Sequence, residues 1–517
     1  VLITGGTIVD GRAGEPFVGD VLIRDGRIAE IGVVLKPENA TVIDATGLLV
    51  TPGFIDIHSH SDFTLYNDPR GVSQITQGVT LEVVGNCGHG CAPITTPELF
   101  HRNIYGYEPG MDMPWRSVGQ YLDALESRKP AVNVITLVPN GNLQIATKDR
   151  RERVALLEQG MAEGAWGLST GLEYGPEADC TEDEVTELCR VAAKAGGFYA
   201  THTRNRDGEA RETIEEAINA AERSGIPLQI SHISSVSRLA RDRRWAIEQA
   251  IEQVDRARTR GVDVCYDMHT RSFGMTNLSN ALPAWAFEGT PVQIVARLES
   301  RSERDKMRGY QSVLTSLSQL GWERVLLFNC PANPELSRKS IAQITKEWEL
   351  DIHDAICRIL VKEIESLHSV LVLAYVYPPE LVQPAFDHPY CMPGSDATAL
   401  ALDTNLRGTL LPGAFTWASW YYRHFVRDTK RFTKQEAIRR LTSLPAQRLG
   451  LKDRGVLKVG AWADIAVFEP EKFAERGTDF DPGQIATGMQ HVLVNGKLAV
   501  HNGQLTGERT GQVLRHK

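Results

Sequence analysis

The chain of 517 residues carries 56 Lys+Arg against 65 Asp+Glu, a net charge of −9, with 42% hydrophobic and 23% charged residues. Such a composition excludes disorder, a collagen or coiled-coil rod, and the net positive field of a dedicated nucleic-acid binder. Eight cysteines are too few for a disulfide scaffold, and no run approaches the ~18 apolar residues of a membrane span, so the expectation is a soluble, reduced, cytoplasmic protein without membrane or nucleic-acid partners.

The first fifty residues read as strands and tight turns. Val21-Leu22-Ile23, the turn Asp25-Gly26 and Ile28-Ala29 form a hairpin signal. From residue 53 the texture changes to short apolar runs, at 54–58, 80–84, 132–138, 166–169, 198–202, 228–232 and 262–266. Amphipathic helical stretches lie between several of them; the one at 181–195 opens with Thr181 and Glu184, a capping-box pair. Strand–helix alternation of this kind predicts a parallel sheet with helices outside it. Seven runs before residue 270 and an eighth near 390–395 predict an α/β fold, a (β/α)8 TIM-like barrel. Residues of about 285–385 hold more helix and two extra runs, 325–328 and 370–376, and read as a subdomain inserted before the last barrel strand. Strands and turns return near the end, with Val492-Leu493-Val494, Asn495-Gly496 and Leu498-Ala499-Val500. The expected organisation is a small β-sandwich built from 1–50 and 452–517, flanking a barrel over 51–451.

Barrel enzymes place their chemistry at the C-terminal ends of the strands. The first run ends Asp56-Ile57-His58-Ser59-His60, and histidines at i and i+2 of an extended strand share a face, so both can reach one metal. The second ends Gly85-Asn86-Cys87-Gly88, where a thiolate is a candidate metal ligand or nucleophile. Cys87 and Cys91 also form a Cys-x3-Cys pair, but a structural zinc site needs a second ligand pair at similar spacing, and none is evident. The fifth and sixth runs end in His202 and His232, and the last strand candidate ends Gly394-Ser395-Asp396. Four histidines, a cysteine and an aspartate thus converge if the barrel forms. Zinc lowers the pKa of bound water from about 15.7 to about 7, and a nearby carboxylate can take that proton and return it to a leaving nitrogen. The set suits hydrolysis of an amide or related C–N bond.

At these motifs, and at Pro52-Gly53-Phe54, Gly167-Leu168-Ser169-Thr170-Gly171-Leu172 and Gly460-Ala461-Trp462-Ala463-Asp464, the chain resembles the amidohydrolase superfamily and, within it, the N-acyl-D-amino-acid deacylases, or D-aminoacylases. The cysteine after the second strand selects that branch; hydantoinase-like members carry a lysine on strand four, and residues 166–172 contain none. The resemblance implies a zinc held tightly by Cys87, His202 and His232. It implies a second, weaker position at His58 and His60 with Asp396, and Asp396 as general base and then acid.

The departures fall where the substrate is expected. Ser234 stands where the branch has a lysine, Met268 where it has the second tyrosine of Tyr-Pro-Tyr, and the expected His-Pro-Arg element is not recognisable around Arg407; Tyr174 is retained. Arg271 and Arg407 offer a replacement anion clamp. The leading expectation is therefore an amidohydrolase for a small neutral or aromatic amide or carbamate; Trp285, Phe287, Trp417, Trp420, Tyr421, Tyr422 and Phe425 are aromatic candidates for such a pocket, at least half of them read as helix and subdomain core instead. The alternatives are a true N-acyl-D-amino-acid deacylase and a non-catalytic binding or assembly relative. Oligomeric state is not readable.

Overall fold

Two mirror-image turns tie down the ends of the chain. Asp25-Gly26 and Asn495-Gly496 each take positive φ at both central positions, the geometry that matches the twist of a two-residue hairpin. The computed structural model describes residues 1–36, 40–204, 210–233, 243–406 and 410–517. In it, strands Leu2–Ile8, Phe17–Arg24, Arg27–Gly32, Val42–Asp44 and Leu49–Pro52 share one nine-stranded sheet with Ile465–Phe468, Met489–Val494, Lys497–His501 and Gln504–Leu505. The seam between the two ends is antiparallel, with Val50 opposite Val467. Ile3, Val21, Ile23, Val50, Ile465, Val467 and Leu493 form its apolar core. Burial of each is worth about 1.5–3 kcal/mol.

The middle of the chain forms the barrel. Its strands are Phe54–Asp56, Val79–Val84, a third broken into Asn133–Thr136 and Val138–Pro139, then Gly167–Gly171, Phe198–His202, Leu228–Ile230, Val264–His269 and Cys391–Gly394. Neighbouring strands pair in parallel within each of two sheet segments. The eighth strand closes on the first through the Asp396 amide on the His58 carbonyl (2.9 Å) and the Ser395 amide on the Asp56 carboxylate (3.0 Å). Ile55, Leu81, Val83, Ile135, Phe198, Cys265 and Met392 fill the interior below the mouth. Helix Glu182–Lys194 begins with the Thr181–Glu184 capping box that the sequence signals.

Between the seventh and eighth strands lies the insertion. It holds a three-stranded antiparallel sheet in the order Gly274–Asn277, Leu371–Ala374, Val325–Asn329, with helices such as Pro291–Glu299 and Ile352–Lys362 around it. Its first strand, Gly-Met-Thr-Asn, lies upstream of residue 285 and has no apolar alternation to announce it. After the sandwich strands the chain returns to the barrel. Val513 bridges in parallel to Val134, the Trp166 indole donates to the Leu514 carbonyl (2.7 Å), and the His516 amide donates to the Gly164 carbonyl (3.0 Å).

Candidate active site

The first barrel strand ends at Asp56, and His58 and His60 lie on the bend beyond it. Their rings are 5.4 Å apart and reach the same site, so the bend rather than strand alternation aligns them. Cys87, on the turn after the second strand, places Sγ 3.2 Å from His58 Nε2 and 3.4 Å from His232 Nε2. Leu228 and Ile230 of the sixth strand pack into the helical layer, so plain alternation would send His232 the same way. Instead His232 has φ +33°, and this left-handed residue turns its ring into the barrel. Cys87 (φ +52°) and Asp396 (φ +45°) are left-handed as well. Such conformations cost on the order of 1–3 kcal/mol each and collect at functional sites.

Asp396 Oδ1 lies 3.2 Å from His60 Nε2 and 3.5 Å from His58 Nε2. Its other oxygen accepts from Arg271 Nη2 at 2.7 Å, and both Arg271 Nη atoms also donate to the Asp396 carbonyl (3.2 Å). Burial alone would raise the Cys87 thiol, but the charges of His58 and His232 and hydrogen bonds from His202 and His232 outweigh it and hold the thiol well below its ordinary range. Burial also opposes the Asp396 carboxylate; the His60 hydrogen bond and the charges of Arg271, His58 and His232 overcome it and hold Asp396 well below the usual carboxylate range. His60 responds in the opposite sense: burial lowers it, but Asp396 and Cys87 push it up to about 9. Two anions, Cys87 buried and Asp396 at the cavity floor, thus call for positive charge among the imidazoles.

A divalent cation meets that demand. Donors sharing a tetrahedral zinc with bonds of about 2.0–2.3 Å lie roughly 3.5 Å apart, which matches the Cys87–imidazole spacings. Three sets place their donor atoms within 4.8 Å of one another: His58–His60–Cys87, Cys87–His202–His232 and His58–His232–Asp396. His60 Nδ1 is buried without a hydrogen-bond partner among the described residues. All six expected ligands therefore meet at one site, and the residues fit a metal.

Around them the structure adds groups that the strand-end reading missed. Asp267 accepts from the His232 amide (2.7 Å) and the Gln229 side chain (2.9 Å), and lies 3.0 Å from His58 Nδ1. Glu173 Oε2 is 2.9 Å from His202 Nε2. Asp267 and His269 escaped because the apolar run predicted a strand over 262–266, whereas the strand is Val264–His269. Its polar half faces the barrel interior. Tyr105, on a loop that gives no periodic signal, packs its ring 4.7 Å from that of His60.

A cavity of about 540 Å³ opens over the cluster, lined by His60, His202, His232 and Asp396. Of the expected substrate residues, Tyr174 lines it, its ring 4.7 Å from that of His202. Arg271 lines it too, but its guanidinium is directed onto Asp396, which corrects its reading as a substrate clamp. Met268 is buried in the helical layer: Cys265 and Asp267 point inward, so Met268, one residue out of phase, points away from the cavity. Ser234 and Arg407 lie outside the described residues. None of the seven expected pocket aromatics lines the cavity; Trp417, Tyr421, Tyr422 and Phe425 are core residues. Among the described residues no helix is long and apolar enough to cross a membrane.

Comparison with known proteins agrees with this geometry. The amidohydrolase family profile matches residues 41–317 and 398–500. The N-acyl-D-glutamate deacylase of Alcaligenes xylosoxydans xylosoxydans is 30% identical, over 100% of this chain and 96% of that protein. The crystal structure of an N-acyl-D-glutamate deacylase from Bordetella bronchiseptica, complexed with zinc and a phosphonate mimic of the tetrahedral intermediate, superposes with a TM-score of 0.80 at 28% identity, covering 99% of each chain. A D-aminoacylase studied for its binuclear metal centre gives 0.78 at 26% identity, again over 99% of each. By its profile, its full-length similarity and its cysteine-containing ligand set, the chain belongs to the amidohydrolase family, on the D-aminoacylase branch.

Proposed function

We propose that this enzyme releases the acyl group from N-acyl-D-amino acids by hydrolysis of the amide C–N bond. The observation that carries the reading is the meeting of Cys87, His202 and His232 at one end of the barrel with Asp396 beside His60. Cys87, His202 and His232 would hold the tighter zinc, and His58 and His60 with Asp396 the weaker position. Bound zinc supplies Lewis acidity toward the acyl oxygen and an acidified water. Asp396 takes a proton from the attacking water and delivers it to the leaving nitrogen, and Arg271 keeps that carboxylate ionised and aimed. The rings of Tyr105 and Tyr174 flank His60 and His202 and narrow the approach.

The leading neutral-amide expectation rests on a missing carboxylate clamp, whose Ser234 and Arg407 positions lie outside the described residues, and on aromatic side chains that lie off the cavity; Met268 faces elsewhere. The D configuration and the amino-acid class rest on the named activities of the similar proteins. The test is turnover by metal-replete enzyme of N-acetyl-D-amino acids, their L enantiomers and neutral aryl amides. We expect the D series to be preferred. Asp396→Asn is expected to lose at least about a hundredfold in kcat while still binding zinc. Equal or better turnover of neutral amides would overturn the reading.

A further inference from the structure

One more histidine, His89, lines the cavity but belongs to none of the three ligand sets. Its Nδ1 lies 2.7 Å from the Cys87 carbonyl oxygen, which can only accept, so Nδ1 carries the hydrogen. In the neutral ring Nε2 is then an acceptor. The neighbouring rings are those of His60 (6.2 Å), Tyr105 (5.5 Å) and Tyr174 (4.5 Å). No carboxylate pairs with His89 among the described residues, and burial without one favours the neutral form. Nε2 makes no hydrogen bond among those residues either. It is not sealed from solvent as the unpaired His60 Nδ1 and His202 Nδ1 are, so its open side is the cavity.

The place of this acceptor follows from the strand order. Asp396 follows the eighth strand, and Tyr174 follows the fourth, which stands opposite it in a ring of eight. His89 packs edge-on against Tyr174, with 87° between the rings. With the leaving nitrogen beside Asp396, the other arm of the scissile carbonyl runs across the cluster to the His89–Tyr174 side. An acetyl group there sets a methyl against Nε2 and displaces its water without replacing the hydrogen bond, which is unfavourable. We infer that His89 selects an acyl group with a hydrogen-bond donor on the atom next to the carbonyl carbon, as in N-carbamoyl-D-amino acids. Their NH2 group has the size of the acetyl methyl and donates. This rests on the proposed deacylase activity and names the acyl group that it takes. In the hydrolysis, water adds its oxygen to the carbamoyl carbon and the bond to the amino-acid nitrogen breaks. Asp396 passes the proton to that nitrogen, and carbamic acid leaves, to fall apart into carbon dioxide and ammonia.

The experiment measures equilibrium binding of N-carbamoyl-D-leucine and N-acetyl-D-leucine to metal-loaded Asp396→Asn protein. It is repeated with His89→Phe and with His89→Asn added. The readout is the carbamoyl-to-acetyl affinity ratio, which cancels any loss common to both compounds. Phe keeps the ring and removes both nitrogens; Asn can still donate to the Cys87 carbonyl but ends short of Nε2. The ratio is expected to fall at least about threefold in both variants. An unchanged or higher ratio in His89→Phe would overturn the inference. So would a fall in His89→Phe but not in His89→Asn, which assigns the effect to the Cys87 contact. Turnover by metal-replete wild type separates the two ideas. Release of D-leucine from neither compound, with the ratio still falling, sinks the deacylase reading and leaves His89 recognition standing. Release from the acetyl compound alone, or a constant ratio with turnover, sinks the His89 inference alone. Failure of both compounds to bind sinks both.

Discussion

Asp267 concentrates three roles in one side chain. It is buried, it contacts the His58 ring, and it accepts from the backbone amide of the strained residue His232. A carboxylate on the far nitrogen of a ligating histidine fixes its tautomer and raises its basicity. Asp267→Asn keeps the size and removes the charge, so we expect metal affinity to fall about 10–100-fold, read by competition with a chromogenic chelator on folded protein. Unchanged affinity would show that the contact is packing alone. The six candidate ligands are legible in the sequence because each ends an apolar run and each is a residue type with ligand chemistry. Asp267 is not, because the apolar run stops at Tyr266 while the strand continues to His269, so its inward-facing polar residues carry no apolar signal. Arg271 was legible as a cation near the site but not as the partner of Asp396, since 125 residues separate them.

At the scale of the strand, the second barrel element shows what an interior acid costs. Glu82 is buried within Val79–Val84, with Ser61 donating to one oxygen at 2.7 Å. Burial and the neighbouring charge of Asp56 push it up to about 8. The folded state thus keeps a proton that the unfolded chain releases near pH 4.5, so its stability contribution is complete below that pH and is lost as pH rises through about 8. The slope is at most about 1.4 kcal/mol per pH unit for this one group. Glu82→Gln mimics the protonated form and retains an acceptor for Ser61. We expect its advantage over wild type to grow between pH 6 and 9 in urea unfolding, and a parallel pair of pH profiles would refute this. Element type followed closely from alternation and turn chemistry, as at Asp25-Gly26 and Thr181–Glu184. Element ends did not: the first strand stops at Asp56 and the seventh runs on to His269, because polar site residues replace the apolar signal there.

For the whole molecule, the organising feature is that the two ends of the chain need each other. Strand Leu49–Pro52 has Ile465–Phe468 as its partner, and the last residues then cross to the third and fourth barrel strands. Removing residues 511–517 deletes nine hydrogen bonds among the described residues: from Gly511 to Pro130, Val134 to Gln512, Leu514 to Val134, Trp166 to Leu514 and His516 to Gly164, from the Gln512 amide to Asn133 and Arg454 to the Gln512 side chain, and from Arg515 to Glu163 and Asp123. At about 1 kcal/mol each, less what water restores, the truncated protein is expected to lose a few kcal/mol. Thermal unfolding of the metal-loaded protein should show a lower Tm with zinc content retained; an unchanged Tm would mean the tail is ornamental. The likeness of the two ends was readable in the sequence, and so was the plausibility of their pairing. The tail's return to the barrel was not, because single bridges such as Val134–Val513 leave no periodic trace. Order of synthesis gives this seam a further meaning. The partner of Leu49–Pro52 emerges about 400 residues later, roughly 20–80 seconds at ordinary translation speed. For that interval half a sheet waits with its edge unpaired, and the barrel gains its last strand, Cys391–Gly394, only about 70 residues before the partner arrives. An unpaired edge of this kind is a template for pairing with other chains, so the yield of folded protein is expected to depend on timing during translation as well as on the stability of the finished fold.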